Sequence, residues 1–136
     1  MSAPLPNVIA PVVMGYPKPA TARFLELRAL LYGLADQMPD TGGLTETLKW
    51  GEPSFAPVKA RVGTPVRLAW KPARPNAISL FVNCQTPLVE HWRSQFPALD
   101  YVGNRELVIP LDGDLPSDIR TCMSQAMTYH LKKPAD

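Results

Sequence analysis

Histidine and cysteine are scarce in this 136-residue sequence, two of each, and long apolar runs are missing altogether. Two histidines and two cysteines this dispersed do not form the spaced pairs of a zinc site, and no two of them stand four apart on one helix. No apolar stretch approaches the ~20 residues that cross a bilayer. The segment around VIAPVVMG lacks the basic start and uninterrupted apolar core of a secretory leader, because Pro11 divides it. These absences lead us to expect a cytoplasmic protein with no membrane contact and no cofactor. Glycine-rich phosphate loops, a dinucleotide fingerprint and a glycine-serine-glycine nucleophile elbow are also missing. The Asp112-Gly113-Asp114 triplet starts like a calcium loop, yet Met123 stands where the bidentate glutamate belongs.

What the sequence has in excess is proline, sixteen residues, about twice the usual share. Proline removes a backbone donor and fixes φ, so the proline-free windows are expected to hold the regular elements. Residues 20 to 38 place Phe24, Leu27, Leu30, Leu31, Leu34 and Met38 at helical spacing. Near the other end Ile119, Cys122, Met123, Ala126 and Met127 do the same behind Ser117, read as an N-cap. A short third helix is expected behind Thr86 as N-cap, with Pro87 at its first position and Leu88, Trp92 and Phe96 four apart. Alternation marks strands at 66–71 and 77–83, joined through the turn Pro72–Asn76, and a second hairpin turns at Gly103-Asn104. Residues 44–50 alternate as well, although Leu44 and Leu48 would also share a helix face; we read them as a strand ended by Gly51 and Pro53.

Helix, strand, hairpin, helix, hairpin, helix is an α+β order, with connections too short for parallel crossovers. We expect a two-layer sandwich: a mainly antiparallel sheet with the N- and C-terminal helices packed on one face, in one domain over 16–133, behind an extended segment 1–15. The bland reading of Cys84 and Cys122 is a pair of buried free thiols.

The net charge is only +2, yet from Pro53 to Val89 there is no acidic residue, while Lys59, Arg61, Arg67, Lys71 and Arg74 are all cationic. A solvated sheet face accounts for this pattern; so does attraction of a small anion. Nucleic acid is disfavoured by the low overall charge. At the end of the first strand Lys49, Trp50 and Glu52 put a cation, an aromatic wall and a carboxylate close together, with Trp50 expected on the core face. A structural corner would look the same. The expected ligand-binding set is therefore Lys49, Trp50, Glu52, Arg67 and Lys71, for a small anionic ligand or a protein partner; no residue is assigned a catalytic or metal role.

The segments FLELRALL, ETLKWGEPSF, FVNCQTPLVEHW, GNRELVIPL and AMTYH together resemble the YdhG-like domains of unknown function over roughly 16–132, most specifically at Trp50, Gly51 and Pro53. The resemblance implies a compact α+β domain with an antiparallel sheet and helices. Some such proteins are regarded as frataxin-like iron carriers, which implies a carboxylate ridge; the first helix offers Glu26 and Asp36, followed by Asp40. Three readings follow: a non-catalytic binding domain, an iron-binding chaperone, or an enzyme using Glu52 or His91.

Overall fold

Four helices and six strands make up the computed structural model, which describes residues 4–131. The ends of the expected segments, 1–3 and 132–133, lie outside the described residues. The expected two-layer α+β sandwich is what forms. Helix α1 spans Ala10–Met14 and α2 spans Lys18–Gln37; strands β1 (Leu44–Lys49), β2 (Glu52–Pro57), β3 (Val66–Ala69) and β4 (Ala77–Phe81) follow. Helix α3 (Leu88–Gln95), strands β5 (Asp100–Val102) and β6 (Glu106–Pro110), and helix α4 (Ser117–Met127) complete the chain. The sheet runs β1-β2-β3-β4-β6-β5 and every pair in it is antiparallel.

One apolar core lies between this sheet and the helices. Helix α2 contributes Phe24, Leu27 and Leu31, α3 Val89 and Trp92, and α4 Ile119, Cys122, Met123 and Ala126. Phe55, Val66, Leu68, Ile78, Leu80, Leu107 and Ile109 meet them from the sheet. Removing this apolar area from water is the main driving force of the fold. Proline marks where the helices begin: α2 carries one in its first turn, and Pro87 and Pro116 hold the cap positions of α3 and α4. The expected caps are thus displaced. Ser117 is already helical, and the Thr86 hydroxyl donates to the Asn83 carbonyl rather than accepting from the helix.

Four other expectations need correction. The segment 1–15, expected to be extended, is helical at Ala10–Met14, because Ile9 and Val13 are both needed in the core. Pro53 does not end the strand but lies inside β2, paired with Leu48. In a two-residue hairpin the closing pair, Lys49 with Glu52, is the hydrogen-bonded one, so the missing N–H of the next residue falls where β1 asks for no donor. Strand β3 stops at Ala69, leaving Trp70 to lean on Tyr16 with ring centroids 6.1 Å apart and to donate its indole N–H to Pro75 O at 3.0 Å. Finally, the turn between β5 and β6 has three residues, 103–105, and in it Gly103 has positive φ while Asn104 does not.

Candidate functional site

The helices cover one face of the sheet, and side chains of the sheet itself cover the other. Across that helix-free face the register aligns Thr47, Ser54, Arg67, Phe81 and Glu106 in one row. Glu52 bridges two cations, Arg67 at 2.5 Å and Lys71 at 2.8 Å. Both of these cations also lie over the Phe81 ring, at 5.0 and 5.2 Å from its centroid. The aliphatic stems of long cationic side chains shield apolar surface while their heads stay wet, and Phe81 is buried with no helix above it.

A second cluster lies farther along. Glu106 accepts from Arg74 Nε at 2.7 Å and from the Ser79 hydroxyl at 2.6 Å. Burial works against its charge, but these two hydrogen bonds together with the positive charges of Arg74 and Lys71 outweigh burial and hold the carboxyl below its ordinary value of 4.5. A depressed folded pKa supplies stability that is present above the unfolded value and lost as pH falls through the folded one. The urea midpoint is accordingly expected to fall as pH is lowered from 4.5, and Ser79→Ala to flatten the Glu106 part of that fall.

Between the starts of β3 and β6 and the end of β4 the helix-free face dips into a groove of about 240 Å³. Lys49, Arg67 and Arg105 line it, together with Ser54, Asn83 and Cys84 over a Phe81 and Val82 floor; among the described residues no carboxylate does. Arg67 is engaged by Glu52. Lys49 and Arg105 are exposed and, among the described residues, enter no ion pair or side-chain hydrogen bond. Cys84, expected to be buried, is exposed in the loop after β4, whereas Cys122 is buried as expected. Burial, with Asp118 nearby, pushes the Cys122 thiol up to about 12.

Of the five sequence-derived site residues, then, Lys49 and Arg67 share the groove, while Glu52 and Lys71 form the ionic bridge beside it. Trp50 is elsewhere. It occupies the β1–β2 turn with φ 56°, followed by Gly51 at 76°, and is 90% exposed rather than on the core face. Two successive positive φ angles define the tight turn that twists with a hairpin and favours Asn-Gly. A tryptophan in that conformation costs about 1 kcal/mol. Core position and turn position are mutually exclusive for this side chain, and the alternation of 44–49 simply ends one residue before it.

Arg105, Asn83 and Cys84 are absent from the sequence-derived set. Their membership depends on β6 pairing with β4 across the intervening α3 and β5, a juxtaposition with no local signal. No group of three or more His, Cys, Asp or Glu side chains among the described residues is placed to hold a metal ion, so the carboxylates Glu26, Asp36 and Asp40 do not gather into the ridge that iron carriage implies. Among the described residues no helix is long and apolar enough to cross a membrane.

No protein-family model and no curated protein matches the sequence. Among solved structures, YdhG of Bacillus subtilis, a DUF1801-family protein, is similar with a TM-score of 0.62 and 14% identity over 88% of this chain and 86% of that one. At that identity the likeness is one of fold.

Proposed function

We propose that this chain is a YdhG-like, non-catalytic binding domain whose helix-free sheet face takes an anionic group in the groove between Lys49, Arg67 and Arg105. The observation that supports the reading most is the imbalance of charge: three cations line a concavity that no carboxylate of the described residues lines, and two of the three have no ion-pair or side-chain hydrogen-bond partner among the described residues. An incoming carboxylate or phosphate would gain charge-assisted hydrogen bonds from both, with the Ser54 hydroxyl and the Asn83 amide at hand. Its size is informative too. At about 240 Å³ the groove is smaller than the ~300–1,000 Å³ of sites that engulf a whole metabolite. It suits a head group whose remainder stays outside.

Cys84 supplies the test, since it lines the groove and is exposed, while Cys122 is buried and stays protonated. Citrate and inorganic phosphate are expected to slow iodoacetamide labelling of Cys84, less so as salt is raised. In the double variant Lys49→Ala/Arg105→Ala the concentration giving half-protection should rise roughly tenfold or more, two charge-assisted hydrogen bonds having been removed. Equal labelling rates with and without either anion would refute the reading.

A further inference from the structure

The groove and the exposed tryptophan are neighbours, and together they say what kind of molecule carries the anionic group. We infer that it belongs to an acidic peptide segment of a partner protein, which sets a carboxylate between Lys49 and Arg105 and lays an apolar side chain against Trp50. This inference rests on the anion-binding reading of the groove and goes beyond it. Lys49 lines the groove and is followed directly by Trp50, so the turn that carries the indole starts at a groove residue. The indole is 90% exposed on a positive-φ backbone, a conformation that a large side chain rarely keeps unless function selects it. A small anion confined to the groove would leave that residue without a role. Tryptophan is among the residues enriched in protein-recognition hot spots.

The charge pattern separates a peptide from a nucleic acid. On this face Arg67, which lines the groove, and Lys71 share the single carboxylate of Glu52, and Arg74 is paired with Glu106. A phosphodiester strand running across the sheet would therefore meet two carboxylates, whereas single-strand binders follow a continuous cationic track with aromatic platforms. Phe81, an aromatic of this face, lies beneath Arg67 and Lys71 and offers no platform. Two groove cations without an ion-pair partner among the described residues, one of them the chain neighbour of the indole, match one or two acidic side chains beside an apolar residue.

The test is a titration followed in ¹⁵N–¹H spectra of the whole chain. Its three arms are a capped decapeptide with four glutamates preceding two leucines, inorganic phosphate, and an oligothymidylate. The peptide is expected to shift Asn83, Cys84, Arg105 and the Trp50 indole N–H together, and phosphate to shift the groove residues alone. Trp50→Asn places the preferred Asn-Gly pair in the turn, so it should raise Tm by a few degrees while weakening the peptide about tenfold and leaving phosphate unchanged. The inference is overturned if phosphate binds and the peptide does not, if Trp50→Asn binds the peptide as tightly as the parent, or if oligothymidylate binds more tightly than the peptide. A groove silent to phosphate as well would take the anion-binding reading down with it.

Discussion

Glu46→Ala is expected to lower the stability of this domain by about 3–5 kcal/mol, the usual cost of removing one member of a buried ion pair. Glu46 projects from β1 to the helix side of the sheet, where its carboxylate accepts from Arg28 Nε at 2.7 Å, from a terminal Arg28 nitrogen at 2.8 Å and from the Tyr32 hydroxyl at 2.7 Å. The Arg28 and Glu46 side chains are 3% and 4% exposed. This is a two-pronged guanidinium–carboxylate contact out of reach of bulk water, the geometry in which such a pair repays its desolvation. Truncation would leave a buried guanidinium without its carboxylate and loosen the attachment of the edge strand β1 to α2.

Urea denaturation measures the loss, and a change under about 1 kcal/mol would show that the pair is solvated in practice. A second readout is independent of unfolding. The Tyr32 phenol is pushed up to about 12 by burial first and by its bond to Glu46 second, so in the variant its ionisation should move part of the way back toward 10. The paired replacement Arg28→Met/Glu46→Leu is expected to cost less than Glu46→Ala alone, because it removes both charges together.

That Glu46 is a core-side residue could be read from the alternation of 44–49, in which it shares a face with Leu44 and Leu48. That its partner would be Arg28 could not, since helical spacing places Arg28 beside the apolar stripe of α2 without saying which strand it meets. The same division runs through the molecule. Period alone located α2, α3 and α4 to within a residue or two, because each must bury one stripe against the sheet. It also found β1, β3, β4 and the β5–β6 hairpin. Strand β2 escaped because Pro53 and Pro57 were read as breakers, and whether a proline breaks a strand depends on which neighbour needs its N–H. The acid-free stretch 53–89 contains Arg67, which the register places in the row on the helix-free face. That stretch overstates the free charge, since Glu52 from the preceding strand pairs with both Arg67 and Lys71 and Glu106 from β6 pairs with Arg74. Trp50 was misplaced because alternation carries no information about where a turn begins.

Gly63→Ala should be nearly as damaging, for a reason with no trace in the sequence. The loop from β2 to β3 is stitched to the end of α4: the Thr64 N–H donates to Ala126 O at 2.9 Å and the His130 N–H to Val62 O at 3.0 Å. Gly63 sits between these two bonds. A Cβ there would stand 2.5 Å from the Met127 carbonyl carbon, closer still to its oxygen, and 2.8 Å from the Ala126 carbonyl oxygen. These are backbone atoms of a packed helix end and cannot swing aside as a side-chain tip would. The added methyl must push the loop and the helix apart, at a cost of about 3 kcal/mol, or roughly 10 °C in Tm. Gly51→Ala is the contrasting control. It has nothing within 4 Å but a φ of 76°, so it should cost only about 1 kcal/mol through backbone strain. Because Pro65, two residues beyond Gly63, lines the groove, Gly63→Ala should also reduce the protection of Cys84 by citrate at temperatures where the variant is still folded. A variant that keeps the parental Tm would show that the loop can lift off α4 freely, and the groove wall would then owe its position to something other than this stitch.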